Sequence, residues 1–271
     1  MGTAKRERQK AGRDTRRAEA EAAAKKASTR KRAINIGIVV VVAIALIGLW
    51  VLLQGGSDKK STTSTASSST TTPPSTTAAP TYGTTECPPA SGAATVTTKF
   101  SSPFKQCIDP AKTYTAVITT TKGELTVTLD AKKAPATVNN FVALARSKFF
   151  DNTPCHRIIP NFVVQCGDPT GTGTGGPGYT FRDELPQAGE YKVGSLAMAN
   201  SGPNTNGSQF FIITGSDGAA LPPNYSLFGQ VSAGADTSLK ALDAAGNPDK
   251  ASNGVPPKEP VSIVSVKVTE S

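Results

Sequence analysis

The chain has 271 residues, with 29 Lys and Arg against 20 Asp and Glu, one His and four Cys. Residues 1–32 hold 12 of the basic and four of the acidic side chains, whereas residues 112–271 carry 13 of each. A neutral C-terminal portion excludes a fold built to neutralise nucleic-acid phosphates, and one His among scattered Cys leaves too few ligands for a zinc centre. Neither a metal nor a cofactor is expected, and the length allows one or two domains.

Residues 1–33 read as a solvated basic arm, rich in Ala, Lys, Arg and Glu and without an apolar stripe. Residues 34–53 follow without a charge. Twenty residues at 1.5 Å each span about 30 Å, the thickness of a bilayer core, so the run is expected to be a transmembrane helix. Asn35 stands at its entry and Trp50 near its exit, where interfacial aromatics settle. A cleaved signal peptide is the rival reading. It is disfavoured by a charged leader of more than 30 residues and by the lack of an Ala-x-Ala site after Leu53. The basic flank places the N-terminus in the cytoplasm and the rest of the chain outside it.

Residues 54–111 are expected to be an extracytoplasmic linker. Of the 25 residues from Ser61 to Thr85, 17 are Ser or Thr, too polar to bury the apolar surface that would offset their ordering entropy. Outside the cell, Cys87 and Cys107 read as a disulfide tying down this lead-in, with free thiols or cross-pairing as the alternatives.

From residue 112 to 271 the texture changes to short β-branched runs and turn signals. Tyr114–Thr121 and Glu124–Leu129 form a hairpin through Lys122-Gly123. Pro135 opens a helix with Val138, Phe141, Val142, Leu144 and Ala145 on one face. Cys155–Ile159 and Phe162–Cys166 form a second hairpin, turning at Pro160-Asn161. Leu196–Ala199, Gln209–Thr214, Leu227–Val231 and Val261–Val268 are further strands, and a short helix covers Thr237–Ala245. About eight strands and two helices imply a mainly β domain: a closed eight-stranded antiparallel barrel capped by two helices.

Two strings carry the chemistry. The first runs His156-Arg157-Ile158-Ile159-Pro160-Asn161-Phe162-Val163-Val164-Gln165, followed by Gly167-Asp168 and a glycine-rich loop. The second runs Met198-Ala199-Asn200-Ser201-Gly202-Pro203-Asn204-Thr205-Asn206-Gly207-Ser208-Gln209-Phe210-Phe211-Ile212. In order and spacing they resemble the cyclophilin family of peptidyl-prolyl cis-trans isomerases, over about residues 113–271. The resemblance implies an isomerase domain, monomeric, that binds proline-containing polypeptides. With the apolar span and basic flank, the chain is expected to be a membrane-anchored bacterial member that assists the folding of exported proteins. The alternative is a non-catalytic proline-peptide binding module at the cell envelope.

Prolyl isomerisation makes and breaks no bond. Its barrier of about 18–20 kcal/mol is the loss of amide resonance at the twisted geometry. A site needs an apolar cup for the ring, a donor that favours the twisted amide and polar groups that fix the flanking backbone. By resemblance Arg157 is the catalytic donor. Phe162, Val163, Phe211, Leu221 and Tyr225 line the pocket, and Gln165, Gly173, Ala199, Asn200, Ser201 and Gln209 contact the substrate backbone. Two positions depart from the family pattern: Ala220 stands where many members have Trp, and Tyr225 where many have His. Both are expected at the rim, where they weaken cyclosporin binding more than isomerisation and leave substrate preference open.

Other features receive plainer readings. Phe210 and Ile212 alternate with Phe211 and belong to the core, and His156 is structural or orients the site. Gly171-x-Gly173-x-x-Gly176 has no following helix and is a loop, not a dinucleotide site. The sequon Asn206-Gly207-Ser208 is accidental. With a two-residue turn at Pro160-Asn161, Cys155 and Cys166 stand directly opposed and are expected to form a disulfide that braces the hairpin carrying Arg157.

Overall fold

The computed structural model describes residues 80–271. The expected basic arm, transmembrane span and first part of the linker lie outside the described residues. Among the described residues no helix is long and apolar enough to cross a membrane.

Nine strands form one antiparallel sheet. In chain order they are β1 (Tyr114–Thr120), β2 (Gly123–Leu129), β3 (Thr153–Pro154), β4 (Arg157–Ile159), β5 (Val163–Cys166), β6 (Ser195–Met198), β7 (Phe210–Ile213), β8 (Leu227–Ala233) and β9 (Ser262–Glu270). The order across the sheet is β3-β9-β1-β2-β8-β6-β7-β5-β4. The count is nine rather than the expected eight, and the edges are not joined by a ladder. Instead the edge strands β3 and β4 are successive pieces of one stretch of chain. Pro154 has no N–H with which to extend pairing, and the chain then bends at Cys155 and His156. The Cys155 N–H goes to the Val261 carbonyl and the Ile158 N–H to that of Gly254. The sheet curls until its two ends meet through the backbone itself.

Among the described residues three α-helices accompany it: α1 (Pro135–Arg146), the single turn α2 (Ser216–Ala219) and α3 (Lys240–Ala244), which continues a π-helical turn at Ala235–Leu239. The sequence pattern anticipates α1 and α3 but not α2. Inward-facing Ala116, Ile118, Leu125, Val127, Leu196 and Phe228 fill the curled sheet. Phe141 of α1 seals it, with its ring centroid 5.2 Å from Phe150, 5.5 Å from Phe210 and 5.2 Å from Phe228. Each such side chain contributes roughly 1.5–3 kcal/mol on burial. Pro135 sits at the first turn, where its missing N–H costs nothing. The N-cap residue is Ala134, so the free amides are satisfied from a distance: the Glu184 carboxylate accepts from the backbone N–H of Ala136 and Thr137 at 3.0 and 2.8 Å.

The amphipathic pattern of α1 predicts one buried face, yet every residue from Ala136 to Arg146 is buried. Asn139 on the polar face is covered by the end of the expected linker, whereas Asn140 meets Tyr179 and Gly207. Residues 83–108 form a strap that doubles back on itself, with Gly83 N–H on the Phe104 carbonyl and Lys105 N–H on that of Thr85. The strap crosses the C-terminal end of α1 (Ala93 N–H to the Arg146 carbonyl) and inserts Phe104 and Ile108 into the core. Asn139 on the helix accepts from the Cys107 N–H at 2.6 Å and donates to the Lys105 carbonyl at 2.9 Å. The Cys87–Cys107 bond closes the strap. The packed body therefore starts near residue 83 rather than at 112, because buried Phe104 and Ile108 and a disulfide offset an entropy cost that the polar composition alone does not.

The second hairpin also differs from expectation. Ile159 pairs with Val163, and Asn161 lies at φ 60°, in the left-handed region that Asn tolerates. The loop has three residues instead of two, and β5 starts at Val163. The register shifts by one, so Cys166 stands opposite His156 and not opposite Cys155. The Cys155–Cys166 bond is present all the same, with Cα atoms 4.0 Å apart, because Cys155 has already bent out of the ladder.

Candidate active site

Strand alternation splits β7 between two apolar clusters. Phe210 and Ile212 face the interior of the sheet. Phe211 and Ile213 face outward and join Val163, Tyr191 and Ala197 in a second cluster, against which Phe162, Ala199, Leu221 and Tyr225 pack. This second cluster is a cup on the outer face of the sheet. The Phe211 and Tyr225 rings meet edge-on at 5.2 Å. Tyr225 is in turn held by Tyr191, whose hydroxyl donates to the Tyr225 carbonyl at 2.7 Å and accepts from its N–H at 3.0 Å. Burial pushes the Tyr191 hydroxyl up to about 12, so it stays a donor. Leu221 and Tyr225 are half-buried and Ala220 is exposed.

Arg157, on β4, reaches the edge of the cup, with Cζ 5.7 Å from the centroid of the Phe162 ring. Three bonds fix the guanidinium. Nε donates to the Asn253 carbonyl at 3.1 Å, Nη2 to Asn253 Oδ1 at 3.0 Å and Nη1 to Gln165 Oε1 at 3.3 Å. Burial lowers its pKa from the ordinary arginine value, and Tyr225 opposes the shift; the group remains the charged donor at neutral pH. Asn253 holds the left-handed conformation at φ 51° in the turn after a 3₁₀ segment. Sequence reading misses it, because it lies 96 residues from Arg157.

The polar residues continue from there. Gln165 Nε2 donates to Gln209 Oε1 at 3.0 Å, and Gln209 Nε2 donates to the carbonyls of Gly173 and Gly175 at 3.0 and 2.9 Å. Asn200 donates to the Asn224 carbonyl at 2.9 Å and accepts from the Gly202 N–H. Ala199, Asn200 and Ser201 line a cavity together with Gln165, Gly173 and Gln209. Of the twelve residues expected at the site, eleven lie in the cup or in the polar cavity beside it, and Arg157 stands between the two, against Phe162 of the cup and bonded to Gln165 of the cavity. The sequon Asn206 is buried, and its side-chain amide donates to the Arg182 carbonyl and Asp183 Oδ1; that nitrogen is not open to a glycan.

The glycine-rich loop is shaped by Asp168, a second residue that sequence reading misses. Its buried carboxylate accepts from the backbone N–H of Thr170, Thr172, Gly173 and Gly175 and from the Thr170 hydroxyl. Burial by itself raises its pKa. The bonds from Thr170, Gly175 and Gly173 outweigh that and hold it at about 2. A carboxyl depressed from 3.8 contributes stability that is complete above pH 4 and lost as pH falls toward 2, roughly 2 kcal/mol in all. Asp168→Asn is therefore expected to lower the melting temperature at pH 7, and the gap from wild type is expected to shrink between pH 4 and pH 2. Melting curves across that range check it; a gap independent of pH would assign the loss to shape and not to charge. His156, buried beside this loop, is held below its ordinary pKa by burial, with Asp168 opposing and Arg157 adding to the shift.

The family model "Cyclophilin type peptidyl-prolyl cis-trans isomerase/CLD" matches residues 115–268. The "Probable peptidyl-prolyl cis-trans isomerase B" of Mycobacterium tuberculosis is 40% identical over 194 residues, covering 66% of this chain and 62% of that protein. Its namesake in Mycobacterium leprae is 39% identical over 196 residues, covering 67% and 65%. The chain thus spans a little under two thirds of the length of these mycobacterial relatives. The "Peptidyl-prolyl cis-trans isomerase-like 1" of Gibberella zeae is 45% identical over 159 residues, covering 57% of this chain and 94% of that protein. Among solved structures, a cyclophilin type peptidyl-prolyl cis-trans isomerase of Cryptosporidium parvum superposes with a TM-score of 0.53 at 35% identity, covering 59% of this chain and 99% of that one. The same Cryptosporidium protein, solved in the presence of the dipeptide Ala-Pro, gives 0.52. The strings around Arg157 and Gln209, the apolar cup on the outer face of the sheet and these likenesses agree: the chain belongs to the family of cyclophilin-type peptidyl-prolyl cis-trans isomerases.

Proposed function

We propose that residues 80–271 catalyse cis-trans isomerisation of X-Pro bonds, as a monomeric domain, in polypeptides that fold after export. The observation that carries this is the guanidinium of Arg157, tethered by Asn253 and Gln165 at the mouth of an apolar cup. The proline ring enters the cup of Phe162, Val163, Phe211 and Leu221. Arg157 donates to the prolyl unit and stabilises the twisted amide more than the planar one, the only kind of interaction that speeds the step. Gln165, Asn200 and Gln209 hold the flanking backbone. The curled sheet, continuous through Cys155 and His156, serves as a closed barrel on which this cup is rigid. NMR exchange spectroscopy of cis and trans Ala-Pro peptide with the full chain in mild detergent tests the reading. Exchange is expected to rise well above the uncatalysed rate of tens of seconds. Peptide signals that shift without faster exchange would make the domain a proline-peptide binder instead.

We further infer that the domain is tethered outside the cytoplasmic membrane by residues 34–53. The uncharged apolar run and the basic flank support this, as does the pairing of all four cysteines in disulfides. External protease added to intact cells is expected to release the C-terminal domain; full protection without cell lysis would overturn the topology.

A further inference from the structure

The polar cavity beside the cup has a volume of about 740 Å³ and is built from Gly, Ser, Thr, Asn and Gln side chains and backbone, with Pro177, Tyr179 and Ala199. One lining residue carries a charge: Lys99. Lys99 lies outside the segment that matches the isomerase family, on the strap between Cys87 and Cys107. Its Nζ donates to the Gly176 carbonyl at 3.1 Å. The next residue, Phe100, donates its N–H to the Pro177 carbonyl at 2.8 Å and packs its ring 4.8 Å from that of buried Phe104. The strap is therefore seated on the cavity wall at two successive residues. Lys99 is exposed and makes no ion pair among the described residues. An ammonium has three donor hydrogens, and one bond to Gly176 leaves two for a ligand.

Cup and cavity share Ala199, and Gln165 on the cavity wall also bonds to Arg157. The cavity therefore adjoins the cup, within reach of the few residues that flank a proline bound there, at about 3.3 Å per extended residue. A carboxylate placed there meets a cation that no acidic side chain on the wall neutralises. We propose that Lys99, supplied by the strap and not by the isomerase fold, makes the groove selective for polypeptides with Asp or Glu within three residues of the proline. The proposal rests on the isomerase reading of the groove, and its test separates the two.

Seven-residue Ala-rich peptides with a central Pro would carry Glu or Gln at each of the three positions on either side. Exchange rates and Kd, the latter from peptide shift titration, would be measured with the full chain and with Lys99→Gln and Lys99→Glu, at 50 and 500 mM salt. At one position or more the Glu peptide is expected to be favoured over its Gln twin by about three- to tenfold at low salt. That ratio falls to about one in Lys99→Gln, falls below one in Lys99→Glu, and shrinks at high salt. Because the ratio is taken within each protein, a general loss of activity cancels. A wild-type ratio near one at every position, or a ratio that Lys99→Gln leaves unchanged, overturns the proposal. If exchange stays at the uncatalysed rate, the isomerase reading fails on its own, and the Kd ratios decide the role of Lys99.

Discussion

Replacing Arg157 by Lys is expected to cut kcat/KM for Ala-Pro exchange by one to two decades while leaving the positive charge in place. The guanidinium is useful because it is a planar fork with five donors. Two of its nitrogens are fixed on Asn253 and one on Gln165. That anchorage sets the plane in which the remaining hydrogens face the substrate. A lysine ammonium reaches the same region as a mobile point charge, and it cannot satisfy the Asn253 carbonyl, Asn253 Oδ1 and Gln165 Oε1 while also aiming a hydrogen at the prolyl unit. One charge-assisted bond contributes roughly 1.5–3 kcal/mol, which is one to two decades in rate. Peptide affinity is set mainly by the cup, so Kd from shift titration is expected to change by less than about threefold. Asn253→Ala removes the side-chain acceptor and strains a left-handed residue, and is expected to cost up to about tenfold in rate. Asn253→Gly keeps the backbone acceptor and the turn, and should recover part of that loss. An Arg157→Lys variant at wild-type rate would mean that charge alone acts, and the anchorage by Asn253 would then be structural only.

The residues that meet through strand alternation or contiguity were legible in the sequence. Phe211 separates from Phe210 and Ile212 because side chains alternate across a strand, and the structure divides them between the outer cup and the interior in that way. Arg157 and Gln165 are both read from one unbroken string, but their direct pairing comes from the three-residue loop and not from the expected register, which sets Val164 opposite Arg157. What stayed hidden depends on contacts between distant parts of the chain. Asn139 and Asn140 stand on the polar face of α1, which pattern reading assigns to solvent; the strap, the loop after Gly176 and the segment leading into β7 cover them, through Cys107 and Lys105, Tyr179 and Gly207 respectively. Nothing in the Pro- and Ser-rich text before residue 112 announces that Phe104 is core. Asn253 and Asp168 escape notice for a related reason. Each works by bonding to the backbone or to a distant side chain, and such roles leave no periodicity. The hairpin register failed on one backbone angle. Asn161 takes φ 60°, lengthens the turn by a residue and shifts every pairing above it by one.

Removing the Cys155–Cys166 bond in a Cys155→Ala, Cys166→Ala variant is expected to destabilise the domain by about 3 kcal/mol, the loop-closure entropy for a separation of 11 residues. For a domain of this size that lowers Tm by about 6–12 °C. Ala is the appropriate replacement, because both cysteines are buried and a serine hydroxyl there would lack a partner. The position of the bond gives it a second consequence. β4 has three residues and pairs only with β5, as the outermost strand of the sheet. On its N-terminal side the chain bends out of the ladder at Cys155 and His156, so no further strand pairing holds Arg157 in place there. Besides the bond from the Cys155 N–H to the Val261 carbonyl, the disulfide tethers this stretch to β5, one residue beyond the pair Arg157–Gln165 on the β5 side and two before Arg157 on the other. The variant is therefore expected to exchange Ala-Pro several-fold more slowly even 20 °C below its Tm, with the loss in kcat rather than in Kd. Thermal melts under non-reducing conditions and NMR exchange at a fixed interval below each Tm separate the two effects. A variant that melts early but isomerises at the wild-type rate would show that β5 and Asn253 suffice to place the guanidinium, and the bond would then serve stability alone.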